Sequence, residues 1–256
     1  MKSLLTFTKK EFLEQIRSGR LFILAVIFVA FGIMNPATAL MTPWLLEMMS
    51  ESLAESGMSI TVTEITALDS WVQFFKNAPM VLIAFVLMQS AIFTKEYSSG
   101  TLVLSLTKGL SRYKVVLAKV SALLSLWTVG YFLAFAVTYA YNAYFWDNAV
   151  AKSLMPAVMF WWLFGIFVLA LLTLFSTLAS SSASVLLYTG GVVLLLTALS
   201  AIPKVAKYLP VALTDGNSLI YGTLVASDYT VAVIITAAAI LVCLILSIPI
   251  FNKKQL

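Results

Sequence analysis

The stretch that decides the fold is MVLIAFVLMQSAIF at residues 80–93, which is followed almost at once by the charged loop KEYSSGTL at residues 95–102. An α-helix needs about 20 mainly apolar residues to cross the roughly 30 Å hydrocarbon core of a bilayer. Extended back to residue 71 the run is long enough, provided that Lys76 and Asn77 lie at its wet outer end. The loop after it must therefore lie at a membrane surface.

The composition extends this prediction to the whole chain. Of the 256 residues 61% are hydrophobic and 11% are charged, whereas soluble domains are about 45–50% apolar and about 25% charged. We predict an all-α integral membrane protein, with a single transmembrane domain over residues 1–256 and six transmembrane helices. The predicted spans are residues 21–42, 71–94, 115–139, 156–180, 184–202 and 229–251.

The distribution of Lys and Arg predicts the orientation. With both termini in the cytoplasm, twelve of the sixteen basic residues lie on the inner side and eight of the eleven acids lie outside. The basic surplus is then a topology signal that meets anionic lipid head groups, and nucleic acid is not needed to explain it. Residues 1–20 carry an approximate apolar stripe, which predicts an interfacial helix; a merely solvated basic leader or a cleaved signal peptide is the alternative.

Several kinds of chemistry are excluded by what the sequence lacks. The chain has no His, which removes the commonest general base and metal ligand. Its one Cys, Cys243, lies in an apolar run and predicts neither a disulfide nor a metal cluster. There is also no Gly-x-x-x-x-Gly-Lys-Ser/Thr phosphate-binding loop. We therefore predict no catalytic residue, no metal site and no bound cofactor in this chain.

Residues 95–119 can be interpreted residue by residue. Ser98-Ser99-Gly100 should end the helix of the second span, and Thr101–Thr107 is a short apolar segment that can lie flat at the interface. Lys108-Gly109 permits a turn, and Ser111 can cap the helix of the third span. A basic loop with no role beyond orientation is the alternative. Three bases are expected to anchor the third span in the head groups: Arg112, Lys114 and Lys119.

At these residues the chain resembles the permease subunits of ABC-2 type (type V) ABC transporters. Those proteins commonly show a glutamate, Ser/Asn-Gly-Thr-Leu, a few apolar residues, a proline-containing turn, Ser-Arg, and a lysine in the next span. Gly109-Leu110 stands here where the family usually has a proline-led dipeptide. The six spans and the basic interfacial helix are also similar. The matching residues are Glu96, Ser99, Gly100, Thr101, Leu102, Ser111, Arg112 and Lys119.

The resemblance implies that the 95–112 loop forms a coupling helix on a separate cytoplasmic ABC ATPase, which would bind the ATP and Mg. Gly100 would permit the sharp turn, and Thr101 and Leu102 would fill a groove of the ATPase. Glu96 would lie at or near the contact, and Arg112 would pair with an acid of the ATPase. A six-span chain is a half-transporter in that family, so a second copy or a similar permease is expected in a bacterial plasma membrane.

The cargo is predicted only by class. The span interiors hold few ionisable groups, which argues against an ion channel or a proton-coupled carrier. An exporter of an amphipathic or hydrophobic compound (peptide, lipid-like molecule or drug) fits this pattern. The alternative is a non-transporting membrane partner such as an immunity, sensor or assembly subunit. Candidates for a translocation path are Gln89, Thr189, Gly190 and Gly191, for which helix packing is the alternative.

Overall fold

The computed structural model describes residues 2–55, 64–107 and 109–254, and within these ranges it contains helices and turns but no strand. Three single 3₁₀ turns lie at Asn148–Val150, Pro210–Thr214 and Ala226–Tyr229. The α-helices are α1 (Lys2–Arg17), α2 (Arg20–Glu55), α3 (Ala67–Gln89), α4 (Thr94–Ser98), α5 (Thr101–Thr107), α6 (Arg112–Phe145), α7 (Leu154–Leu178), α8 (Ser182–Leu199), α9 (Pro203–Ala206), α10 (Gly216–Tyr221) and α11 (Thr230–Lys253).

Six helical segments of this described part are long and apolar enough to cross a membrane, which confirms the predicted fold class. Several helices extend beyond the predicted spans. The helix α2 continues through Pro36 and Pro43 as far as Glu55, so the prolines do not end it. The segments are Arg20–Leu45, Ala67–Tyr97, Arg112–Phe145, Leu154–Leu178, Ser182–Leu199 and Ala226–Lys253.

An aromatic core joins α2, α3, α6 and α7. The rings of Phe28 and Phe85 lie 6.0 Å and 5.5 Å from that of Trp127, measured between centroids. Gly130 and Gly165 have no side chain where Phe28 and Trp127 pass, so large rings fit against helix backbones. Small residues of this kind are what let membrane helices approach closely.

The ends of the helices form two polar layers on opposite sides of this core. One layer, the loop side, brings together α1, α4, α5 and the ends of α7 and α11, for example through the 3.0 Å hydrogen bond from Tyr97 Oη to the carbonyl of Ser176. The opposite layer contains the 3₁₀ turns: Trp71 Nε1 donates to Asn148 Oδ1 at 3.0 Å, and Trp161 Nε1 donates to Thr214 O at 2.8 Å. The chain therefore crosses between the layers six times.

Candidate functional site

The charged loop of residues 94–112 folds as two short helices set between glycine turns. Gly100 separates α4 from α5 with φ +65°, and Gly109 follows α5 with φ +86°. A side chain at such a left-handed position costs about 1–2 kcal/mol, which glycine avoids. The predicted break after Ser99 and the predicted turn at Gly109 are both present. Between the two turns, α5 is a separate short helix on the loop side.

Glu96 points from α4 into the protein, where it meets two lysines. Its Oε2 lies 2.9 Å from Lys119 Nζ, and its Oε1 contacts Lys10 of α1. Lys119 Nζ also lies 3.0 Å from Glu11 Oε2 and donates to the carbonyl of Ile92 at 2.9 Å. The ion pairs therefore tie α1, α4 and α6 together at one point.

This ion cluster is almost dry. The side chains of Lys119, Glu11 and Glu96 are 1%, 3% and 7% exposed. At the wetter edge Lys10 lies 3.2 Å from Glu14. Burial alone would lower the pKa of Lys10, but the bond to Glu96 and the nearby carboxylates raise it well above its usual range. Burial acts to raise the pKa of Glu14, yet the ammonium of Lys10 lowers it overall. The pKa shifts of Lys10 and Glu14 both favour the charged form of each group.

The same cluster is the place where a metal ion would be sought. Donor oxygens of Glu11, Glu14 and Glu96 lie within 4.8 Å of one another. However, the ammonium groups of Lys10 and Lys119 already contact these carboxylates. These two ammonium groups already pair with the carboxylates where a metal ion would have to bind. The three glutamates therefore do not fit a metal site.

Arg112 lies at the start of α6 and caps another helix. Its Nη1 donates to the carbonyls of Phe251 at 2.8 Å and Lys254 at 2.6 Å, at the end of α11. Its guanidinium carbon is 5.7 Å from the centre of the Phe251 ring. The last carbonyls of a helix lack partners within the helix, so this cation satisfies them and complements the helix dipole.

Removal of this cap should loosen the end of α11. We expect Arg112→Gln to raise amide hydrogen exchange at residues 251–254 by about tenfold, since a charged hydrogen bond contributes about 1.5–3 kcal/mol. Hydrogen exchange with mass spectrometry measures it in detergent. Lys114→Gln, at a neighbouring base whose Nζ contacts the exposed Ser3 hydroxyl and the adjacent Tyr113 ring, is the control and should leave α11 unchanged. Equal exchange in both variants would contradict the capping role.

A narrow groove lies between α3, α7 and α8. It has a volume of about 250 Å³ and is lined by Thr189, Gly190 and aliphatic side chains such as Leu82 and Val86. Thr189 is 2% exposed, and its hydroxyl has no hydrogen-bond partner among the described residues. Gly191 is exposed beside it, with nothing within 4 Å of a built Cβ. The groove is therefore apolar with one unused hydroxyl.

A family model described as ABC-2 family transporter protein matches residues 5–256. The chain belongs to the ABC-2 transporter family. It is thus a membrane permease component of an ABC transporter. The permease component in this family is not itself catalytic. No curated protein matches the chain.

Only some of the loop residues that were predicted to contact a partner are exposed in this permease. Ser99, Thr101 and Ser111 are exposed, and the Ser99 and Thr101 hydroxyls lie 2.9 Å apart. Leu102 is 1% exposed and belongs to the core of the permease itself. Ser111 occupies the N-cap position of α6, but its side chain makes no capping bond. Among the loop side chains whose exposure the structure describes, the outward ones near Thr101 are therefore polar.

The predicted path residues do not form one group in the permease. Thr189 and Gly190 share the groove, with Gly191 next to them. Gln89 lies elsewhere, fully buried, and exchanges two hydrogen bonds of 3.2 Å and 3.3 Å with the amide of Gln15 in α1. These bonds tie α3 to α1, and Gln89 is not among the residues that line the groove.

Two features of the permease were not predicted. The expected anchoring of Lys119 in head groups was wrong, because its ammonium is buried on Glu11 and Glu96. A polar contact also joins three spans: Asn77 Nδ2 donates to Asn35 Oδ1 at 2.9 Å, and Asn35 Nδ2 donates to Thr138 Oγ1 at 3.0 Å. The usable signal was that an ionisable or amide group inside a membrane segment needs a partner.

Proposed function

We propose that this permease is the membrane half of an ATP-driven exporter in the bacterial plasma membrane, with both termini cytoplasmic. The observation that carries the proposal is the α4–α5 loop. Its outward surface around Thr101 is exposed, while Glu96 and Arg112 tie its two ends to α1, α6 and α11. A force on α5 would therefore be transmitted through these contacts to the interfacial helix α1 and to the two spans α6 and α11.

The partner that fits this loop is a separate cytoplasmic ABC ATPase. The chain has no phosphate-binding loop of its own, so ATP and Mg would bind to that partner. Ser99, Thr101 and Ser111 offer it hydroxyl groups on the exposed side of the loop. Glu96 supports the contact from beneath, since its carboxylate is already bonded inside the permease.

The second expected partner is another permease, either a second copy or a similar chain. The helix α8 is the least covered of the six spans within the described part of the chain, with 11% of its residues buried. Leu187, Leu194 and Leu195 are 72%, 71% and 61% exposed. Lipid covers such a face in a monomer, and a facing permease would complete a path beside the α3–α8 groove.

The cargo class follows from the lining of that groove and from the spans. Thr189 and Gly190 are set among aliphatic side chains, without a charged group in the groove lining. The buried charges lie instead in the ion cluster around Lys119, where they are paired. This distribution supports an amphipathic or hydrophobic compound (lipid-like molecule, peptide or drug) moved outward by an external energy source.

The proposal is tested by affinity purification of the tagged permease in mild detergent, followed by mass spectrometry. A stoichiometric ABC ATPase is the expected result, and a second permease sequence would identify a heterodimer. A permease that purifies alone even after cross-linking would overturn the proposal. That outcome would favour a non-transporting immunity, sensor or assembly subunit.

A surface substitution on the loop gives a sharper result. We expect Thr101→Arg to reduce the recovered ATPase at least tenfold, because a bulky cation would replace a small hydroxyl at the contact. Ser180→Arg, on the exposed α7–α8 link of the same side, is the matched control and should recover the ATPase fully. The thermal midpoint of both variants should equal that of the wild type, since both sites are exposed. An ATPase yield unaffected by Thr101→Arg would place the contact elsewhere.

A further inference from the structure

The helix α7 is capped by a lysine from another helix. Lys254, directly after α11, donates from Nζ to the carbonyls of Ala179 at 2.6 Å, Thr177 at 3.1 Å and Leu178 at 3.4 Å. These are the terminal carbonyls of α7, which have no partners inside the helix. One ammonium thus satisfies the end of a buried span and complements its dipole.

The same ammonium contacts the loop. Lys254 Nζ lies 4.2 Å from the centre of the Tyr97 ring in α4, the geometry of a cation–π contact. The Tyr97 hydroxyl in turn donates to the carbonyl of Ser176 at 3.0 Å, and its ring stacks on Phe251 at 6.4 Å between centroids. The loop and the ends of α7 and α11 therefore meet at a single side chain.

The end of α7 leads straight into α8. Only residues 179–181 separate the two helices, and Ser181 caps α8 by accepting from the amide of Ser184 at 3.2 Å. The first half of α8 carries Thr189 and Gly190, which line the groove. A displacement of the α7 terminus is therefore passed on through a short, capped link to the wall of the groove.

We infer that Lys254 is a positioning residue that transmits movement of the α4–α5 loop to the α7–α8 hairpin. The inference rests on the proposed function, because it takes that loop as the point where an ATPase acts. Tyr97 supplies the loop contact and the carbonyls of residues 177–179 supply the hairpin contact. Removal of the ammonium breaks the joint between them but leaves the exposed side of α5 intact.

A purely structural helix cap and a residue that transmits movement are distinguished by how the α7–α8 hairpin responds to ATP. Both lose stability when the lysine is removed. Only if Lys254 transmits movement does its removal abolish the response of the hairpin to ATP while the ATPase stays bound and active. The test therefore measures a distance change inside the assembled complex.

The experiment uses the permease co-purified with its ATPase in lipid nanodiscs. Cys243, which is free and buried, is replaced by alanine, and spin labels are placed at the exposed positions of Lys9→Cys and Ser180→Cys. Double electron–electron resonance gives the distance between α1 and the hairpin with and without ATP plus vanadate. Lys254→Met is compared with Lys254→Arg, with Lys254→Gln, and with Lys253→Met at the exposed neighbouring lysine.

We expect trapping to shift the distance in the wild type and in Lys253→Met. Lys254→Met should lose more than half of that shift with the same amount of trapped nucleotide, and Lys254→Arg should restore it. Lys254→Gln, which keeps a donor without the charge, gives the same reading if the methionine variant does not assemble. A full shift in both neutral variants, or no shift in a wild-type complex that traps nucleotide, overturns the inference alone. If the wild-type permease purifies without an ATPase, the complex cannot be assembled and the proposed function is overturned before any distance is measured.

Discussion

Lys119→Met should lower the thermal midpoint of the purified permease by about 10 °C. The substitution removes the buried cation between Glu11 and Glu96 and leaves both carboxylates to the more exposed Lys10. Removal of one member of a buried ion pair costs about 3–5 kcal/mol, and about 1 kcal/mol shifts the midpoint of a chain of this size by roughly 2–4 °C. The measurement is fluorescence-detected size-exclusion chromatography after heating in detergent.

A matched pair of variants separates charge from packing in this result. Lys114→Met, on the same helix with its Nζ on the exposed Ser3 hydroxyl, should change the midpoint by less than about 2 °C. Adding Glu96→Gln to Lys119→Met removes one buried charge and should recover at least half of the loss. A double variant no more stable than Lys119→Met would refute the charge explanation and assign the loss to side-chain volume.

Gly165→Ala should destabilise the bundle by about 1–3 kcal/mol, the usual cost of overpacking a core. A built Cβ at Gly165 overlaps the indole of Trp127, which is fully buried. The ring cannot move freely because Trp127 Nε1 donates to Trp162 O at 3.2 Å. The thermal midpoint in detergent should therefore fall, and tryptophan fluorescence should report the displaced ring.

The control for this prediction lies in α8. Gly191→Ala meets nothing within 4 Å, and alanine favours a helix over glycine by about 1 kcal/mol. That variant should hold or raise the midpoint. If Gly165→Ala and Gly191→Ala change the thermal midpoint by the same amount, helix propensity decides the stability at both positions. The packing of Trp127 against Gly165 would then not be the cause.

The sequence predicted the fold class and the number of spans well because both depend on local apolar length. The break at Gly100 was predictable for the same reason, since a serine pair followed by glycine is a local signal. Partners across the fold were not predictable in this way. Lys119 was assigned to head groups because its burial depends on Glu11, which lies 108 residues earlier in the chain.

The site was predicted in part. The resemblance placed Thr101 and Leu102 together at the partner contact. In the structure Thr101 is exposed, whereas Leu102 is buried by the bundle around it. Gln89 was grouped with Thr189 as a polar residue in an apolar segment. Its partner Gln15 lies on α1, and only the folded chain brings these two amides together.

The length of α6 has a mechanical consequence. At about 1.5 Å per residue, the segment from Lys119 to Asn142 is a stiff rod of about 35 Å, with the ion cluster at one end and the opposite polar layer near the other. If such a rod pivots by about 10° at its anchored end, simple geometry moves its far end by about 6 Å. A small angular change at the ion cluster is thus converted into a displacement of several ångströms at the opposite polar layer.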